Sequence, residues 1–280
     1  MSDQYPYEGA IFGEYKLKSG LGHGGTADVY LAEDTNLERD VAIKVIHNSR
    51  MSQPEEIDEF QREGRTLARL EHPYIIPVYY AGIEKGVPYI VMKYARGSVR
   101  QKYPHKAVLP FETVIKYTVQ AAQALQYIHN QGLIHRDVKP ENLLLNSAGD
   151  LQVSDFGIAI PTASRRIARE EIVGTATYMS PEQFDARVVR QSDQYALGIV
   201  TFEWLTGSLP FTITTSGDAA YKHLKLPVPP MVRDGQAIAP EIAAVVTRAL
   251  AKNPVERFAT IIEFAQALKV AIRLSALPAL

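Results

Sequence analysis

The chain has 280 residues, 46% of them hydrophobic and 22% charged, with a formal net charge of −1. That length suffices for two lobes of ordinary domain size, and the near-neutral balance argues against nucleic acid or an anionic membrane as the main partner. The absence of cysteine excludes a disulfide framework and a thiolate zinc site and fits a reducing compartment.

The opening MSDQYPYEGA lacks the basic-then-apolar pattern of a signal peptide. The most apolar stretch, residues 197–205, is short and carries Glu203, whereas a spanning helix needs roughly 20 mostly apolar residues. The expectation is a chain without a membrane span, cytoplasmic or the cytoplasmic domain of a longer protein.

The first third reads as strands at 14–21, 27–32, 40–46, 77–83 and 89–94, short runs rich in Val, Ile and Tyr. The turn segments GHGG, DTNLER and EKG separate them. One helix interrupts this pattern. Ser52 and Glu55 have the spacing of a capping box, Pro54 falls in the first turn, where its missing N–H costs nothing, and Phe60, Leu67 and Leu70 share one face. After about residue 98 the pattern turns helical. Residues 111–131 predict a long helix closed by Gly132, a residue suited to the left-handed C-terminal position. Residues 192–205 are apolar on nearly every side and predict a buried central helix that includes Trp204. Helices at 240–251 and 260–274 follow. Strands first and helices afterwards predict an α+β protein of two lobes: a small antiparallel sheet with one helix, then a larger, mainly helical lobe.

Four segments carry chemistry. Leu21, Gly22, His23, Gly24 and Gly25 form a glycine-rich hairpin whose backbone N–H groups can approach phosphates without Cβ interference. A plain hairpin explains it equally well when it stands alone. Lys44, within the apolar run Val41-Ala42-Ile43-Lys44, calls for water or an anionic partner, and Glu63 falls on the inward stripe of the following helix between Phe60 and Leu67. A surface lysine and an edge glutamate remain the alternative.

The run His135-Arg136-Asp137-Val138-Lys139-Pro140-Glu141-Asn142 supplies a carboxylate, a lysine two residues on and an amide five residues on. Such a loop can accept a hydroxyl proton, stabilise charge on a moving phosphate and hold a hard cation through oxygen. Leu143-Leu144-Leu145 and Leu151-Gln152-Val153 then flank a five-residue turn, which predicts a hairpin in which 145 faces 151 and 142 faces 154. Its open end would bring Asn142 near Asp155, two oxygen ligands suited to magnesium. Asp155-Phe156-Gly157 as a simple turn is the alternative.

The glycine-rich hairpin, V-A-I-K, H-R-D-x-K-P-x-N and D-F-G stand in the order of the protein-kinase signature set, and the chain resembles that family over about residues 12–272. Gly174-Thr175-Ala176-Thr177-Tyr178-Met179-Ser180-Pro181-Glu182 resembles its substrate-docking segment, and Asp193 and Arg257 continue the match. The style of Gly157-Ile158-Ala159 and Ser180-Pro181-Glu182-Gln183 is similar to the bacterial, eukaryote-like serine/threonine kinases.

The resemblance implies phosphotransfer from ATP to serine or threonine hydroxyls of proteins, with magnesium, or alternatively manganese, as the metal. It implies that Lys44 holds the α- and β-phosphates and pairs with Glu63, that Asp137 accepts the hydroxyl proton, and that Lys139 contacts the γ-phosphate. Asn142 and Asp155 would bind the metal. Met92 would guard the adenine pocket, the backbone of Lys93, Tyr94 and Ala95 would read the adenine edge, and Leu21, Val29, Ala42 and Leu144 would sandwich its faces. Thr175 would contact the catalytic loop, Glu182 and Arg257 would form a buried structural ion pair, and Asp193 would brace the His135-Arg136 turn. The implied layout is an extension at 1–11, a β-rich lobe at 12–92, a hinge at 93–98, a helical lobe at 99–275 and a tail at 276–280.

Three departures stand out. Ala27 replaces a glycine, Lys93 stands where relatives often carry an acid, and residues 167–173 hold Glu170 and Glu171 with no hydroxyl, leaving Thr162 and Ser164 as the upstream phosphosites. A glutamate partly standing in for the phosphate that would neutralise Arg136 is the expectation. The rival readings are a nucleotide-binding scaffold without turnover, against which Lys44, Asp137, Asn142 and Asp155 argue, and a small-molecule phosphotransferase, against which the docking-like segment argues. His23, His47, His72, His105, His129 and His223 show no metal spacing and read as structural or solvated, and His135 as a packed core residue.

Overall fold

A computed structural model describes residues 5–25, 27–47, 53–155 and 176–276. The chain divides into two compact units. The first comprises the described residues up to Glu71 together with Ile75–Ala95, and the second His72–Tyr74, residues 96–155 and Ala176 onward.

The first unit is built on a six-stranded antiparallel sheet in the order β1-β2-β3-β4-β6-β5: β1 (Ile11–Phe12), β2 (Tyr15–His23), β3 (Ala27–Asp34), β4 (Arg39–Ile46), β5 (Val78–Glu84) and β6 (Val87–Lys93). Strand periodicity sorts its side chains. Tyr30, Ala32, Val41, Ile43, Val45, Tyr89 and Val91 join Phe12 and Leu17 in one buried cluster, onto which Tyr5, Tyr7 and Ala10 also pack. The opposite face carries the alternate residues. Lys44 lies across from Val29 and Ile90, and Ala42 across from Leu31 and Met92.

Helix α1 (Pro54–Ala68) covers that second face. Ala81 pairs with Ile90 on it, and Gly64 of α1 lies so close that a Cβ there would collide with Ala81. The helix buries Phe60 and Leu67, as their spacing predicts, with Leu70 buried just beyond its end. Ser52, on which the expected capping box rests, lies outside the described residues. Gln53 is the N-cap, with no side-chain hydrogen bond, and Pro54 opens the helix; proline's fixed φ suits that position without a polar cap.

In the second unit the helices are α2 (Val99–Lys102), α3 (Phe111–Asn130), α4 (Pro181–Phe184), α5 (Arg190–Thr206), α6 (Ser216–Lys225), α7 (Pro240–Ala249) and α8 (Ile261–Ser275). Every residue of α5 from Ser192 to Leu205 is buried, and it packs against α3, α7 and α8. Gly132 after α3 and Gly207 after α5 take φ of 77° and 72°, the left-handed conformation that ends a helix at little cost in glycine. Strands β7 (Leu143–Leu145) and β8 (Leu151–Val153) pair as expected, Leu145 with Leu151 and Leu143 with Val153, and Ser154 N–H continues the ladder to Asn142 O at 2.9 Å. A short hairpin, β9 (Val232–Arg233) and β10 (Gln236–Ala237), precedes α7. None of the described helices is long and apolar enough to cross a membrane.

Candidate active site

In the first unit, β2 runs into the glycine-rich turn with register shifts between Leu17 and Ser19 and between Gly20 and Gly22, where the strand bulges. Gly22 lies opposite Val29, and Gly24 N–H closes the turn onto Ala27 O at 3.1 Å. Leu21 and His23 are exposed, and Gly24 and Gly25 partly so. Lys44, half-buried, shares its face of the sheet with Val29, Ala42 and Met92, and Glu63 stands half-buried on the helix that covers this face. At the end of β6 the Lys93 N–H is committed to Pro77 O at 2.9 Å, while the Lys93 side chain is exposed. Tyr94 and Ala95, half-buried, follow it.

In the second unit the catalytic-loop sequence folds around Asp193, at the first turn of α5. This 1%-exposed carboxylate accepts from His135 N–H and Arg136 N–H, both at 2.9 Å, and is bonded to His129 Nε2 at 2.7 Å. It fixes a turn that needs support, because Arg136 sits at φ 71°, a strained conformation for a residue with a side chain. His135 is fully buried, with Nε2 at 2.8 Å from Ser154 O and Nδ1 accepting from Asp137 N–H at 3.2 Å.

Beyond the turn three predicted residues meet. Lys139 Nζ lies 2.9 Å from Asp137 Oδ2. Asn142 Nδ2 donates to the Asp137 carbonyl at 2.8 Å and to Oδ2 at 3.0 Å. Burial alone would lower the Lys139 pKa, but the Asp137 carboxylate outweighs it, with smaller help from Glu141 and Asp155, and holds the amine above the usual lysine range. Both Nδ2 hydrogens of Asn142 are thereby used, which sets the amide orientation and leaves Oδ1 as its acceptor. Asp155 follows β8 at φ 58°, and Leu144, half-buried, sits mid-strand in β7 and bridges to Ser98.

Glu182 of α4 receives Arg257 through two 2.8 Å hydrogen bonds and Ser192 Oγ at 2.7 Å. Arg257 spends its other donors on the carbonyls of Gln191, Ala251 and Lys252. The pair is buried, and although burial pushes the Glu182 pKa up, the Arg257 guanidinium more than reverses this and holds it low. Gln183 reaches back to Arg136 O at 3.0 Å, tying α4 to the catalytic loop.

A second polar network went unread in the sequence. Arg100 of α2 donates to Glu203 at 2.8 and 3.0 Å, to Tyr178 Oη at 2.7 Å and to Glu141 at 2.8 Å, and Tyr178 Oη also donates to Glu203 at 2.7 Å. It links α2, the catalytic loop, the docking-like segment and α5. Thr162, Ser164, Glu170, Glu171 and Thr175, with Phe156, lie outside the described residues.

The protein kinase domain family matches residues 15–270. The chain is 36% identical over 253 residues to the serine/threonine-protein kinase PrkC of Bacillus subtilis (strain 168), covering 89% of this chain and 39% of that protein. It is 39% identical over 258 residues to the serine/threonine-protein kinase PknB of Mycobacterium leprae (strain TN), covering 89% and 41%. The chain thus spans about two-fifths of the length of these curated relatives. Among solved structures it is similar to the Mycobacterium tuberculosis PknI kinase domain, with a TM-score of 0.71, 30% identity and coverage of 95% of this chain and 98% of that one. A match over almost the whole chain, on a fold that keeps the signature segments in order, leaves one conclusion: the chain belongs to the protein kinase domain family, in its bacterial serine/threonine branch.

Proposed function

We propose that this domain transfers the γ-phosphate of ATP to serine and threonine hydroxyls of proteins. The observation that carries the reading is the Asp137–Lys139–Asn142 cluster, a carboxylate held between an amine and an amide on a turn braced by Asp193. Asp137 takes the proton of the acceptor hydroxyl as its oxygen attacks phosphorus, and ADP departs. Lys139, kept cationic by its neighbour, offsets negative charge on the phosphoryl group and favours serine and threonine over tyrosine acceptors.

In this reading Lys44, supported by Glu63, holds the α- and β-phosphates beneath the turn formed by Gly22, His23, Gly24 and Gly25. Leu21, Val29, Ala42 and Leu144 flank adenine, with Met92 behind it. Because Lys93 N–H is already committed to Pro77 O, edge recognition falls to its carbonyl and to the backbone of Tyr94 and Ala95. Asn142 Oδ1 and the Asp155 carboxylate are hard oxygen donors that fit magnesium or manganese, and the fixed Asn142 amide already presents its oxygen as the acceptor. When bound, the metal neutralises phosphate charge. Thr175 and Glu182 belong to the acceptor-docking segment, with Thr162 and Ser164 as candidate phosphosites. An ATP requirement and a sequence without cysteine support a cytoplasmic placement.

The test is incubation with labelled ATP, magnesium and a basic protein acceptor, with mass spectrometry for phosphosites. Asp137→Asn and Lys44→Met should each lose roughly a hundredfold or more in phosphotransfer while keeping wild-type circular dichroism. Wild-type rates in either variant would sink the assignment.

A further inference from the structure

The segment ahead of the family-matched region is built into the strand that leads to the glycine-rich turn. The match begins at residue 15, yet Tyr5 packs its ring edge-on to Tyr30 at 5.7 Å and to His23, within the turn, at 6.3 Å. The fit is close: a Cβ on Gly20 of β2 would collide with the Tyr5 ring. Tyr7 continues the layer against Phe12 at 5.3 Å and Tyr30 at 6.4 Å, and its N–H reaches Tyr30 Oη at 3.4 Å. Backbone bonds from Gly9 N–H to Leu17 O and from Leu17 N–H to Ala10 O fasten the segment to β2.

A buried acid on the same face of the sheet also grips this turn. Asp28, 1% exposed, has one oxygen 2.6 Å from His23 Nδ1 and the other 2.6 Å from His47 Nε2, the residue just past β4. Tyr30 Oη donates to the second oxygen at 3.4 Å. One carboxylate thus joins the glycine-rich turn to the end of the strand that carries Lys44, and Tyr5 packs edge-on against the same His23. A buried carboxylate is costly unless its lone pairs are occupied, so a site with both oxygens paired to imidazoles favours one arrangement of these strands.

We infer that Tyr5 and Asp28 are positioning residues for the nucleotide: they hold His23 and its turn in the geometry that receives the phosphates, so the segment preceding the family-matched region takes part in ATP binding. The inference rests on the reading of the turn as the phosphate site. Its energetic scale is that of an aromatic contact, so Tyr5→Ala should raise the KM for ATP about three- to tenfold with kcat within about twofold. Tyr5→Phe, which keeps the ring, should restore the wild-type KM, and Asp28→Ala should raise it as much as Tyr5→Ala or more.

The experiment measures KM and kcat for ATP, ADP affinity by calorimetry and the melting midpoint for these variants, with Phe12→Leu as a control that loosens the same core without touching Gly20 or His23. A rise in KM for Tyr5→Ala, absent from Tyr5→Phe and from Phe12→Leu, supports the inference. An unchanged KM in Tyr5→Ala, or an equal rise in Phe12→Leu, overturns it. If the wild-type domain binds neither ATP nor ADP, the phosphate-site reading fails and takes this inference with it; if the wild type binds both and Tyr5→Ala binds as tightly, this inference alone fails.

Discussion

Asp193 shapes the catalytic loop with one carboxylate. Two consecutive backbone N–H groups and an imidazole converge on it in the interior, and the Arg136 φ of 71° persists because these bonds hold it. Asp193→Ala leaves the two N–H groups buried and unmatched, at about 1–3 kcal/mol each. Urea unfolding should show a loss on the order of 3 kcal/mol, and kcat should fall further than stability alone explains because Asp137 hangs from the same turn. Asp193→Asn keeps one acceptor and should lie between wild type and alanine; an alanine variant as stable as wild type would contradict the bracing role. At this scale the sequence was readable where chemistry is written in consecutive letters. H-R-D-x-K-P-x-N announced a loop whose members do meet at 2.9 and 3.0 Å. The Arg100 network was invisible because its partners Tyr178 and Glu203 lie 78 and 103 positions away, and no local pattern reports a contact made by tertiary folding.

Helix α6 shows the same limit at the scale of elements. Its N-cap, Thr215, accepts from Asp218 N–H at 3.1 Å, and the short helices α2 and α4 open on Ser98-x-x-Gln101 and Ser180-x-x-Gln183 boxes. Those boxes were present in the sequence, but helices of four residues offer no apolar periodicity to draw attention to them. The longer α3, α5, α7 and α8 were legible within a few residues at either end because each repeats its apolar stripe or, in α5, is apolar almost throughout. Within α6, His223 is fully buried among Phe184, Tyr195 and Phe211, and Tyr195 Oη lies 2.9 Å from its Nδ1. Burial, reinforced by the Lys252 charge, pushes its pKa from 6.5 down to about 4.

The sign follows. As pH falls below 6.5 the unfolded chain takes up a proton that the native state refuses, so stability declines until about pH 4, by on the order of 3 kcal/mol in all. Glu182 has the opposite origin but the same direction. Its pKa is held below the ordinary 4.5, so its stabilisation is complete above that value and is lost as pH drops through the lowered one. In the window from 6.5 to 4.5 the decline therefore comes mainly from His223, with a smaller share from His72, whose pKa burial also lowers. Chemical denaturation in steps across it should show the decline in wild type and a markedly flatter profile in His223→Gln, which keeps a polar partner for Tyr195 but does not titrate. An equal slope in both would remove His223 from the explanation.

For the molecule as a whole, the proposed separation of roles between residues that hold nucleotide and residues that move protons predicts how stability and turnover come apart. Strand-first, helix-second order gave the fold class from sequence alone, since a period-2 block followed by a period-3.6 block admits few architectures. It said nothing of what ties residues 5–10 onto the first sheet, because two tyrosines and a glycine carry no periodic signal. A ligand that binds only the native chain stabilises it by mass action, about 2.7 kcal/mol at a hundredfold excess over Kd, or very roughly 5–10 °C in melting midpoint for a chain of this size. Magnesium and ATP together should produce a shift of that order, rising with the logarithm of concentration. Chelating the metal should remove most of it, because in the proposed site Asn142 and Asp155 engage the phosphates only through it, and Asn142→Ala should show the same loss with metal present. Asp137→Asn should keep the full shift while losing phosphotransfer, since in the proposed mechanism its carboxylate acts on the acceptor hydroxyl rather than on the nucleotide. A shift identical with and without metal would displace Asn142 and Asp155 from the metal role, and a shift abolished in Asp137→Asn would make that residue part of nucleotide binding instead of proton transfer.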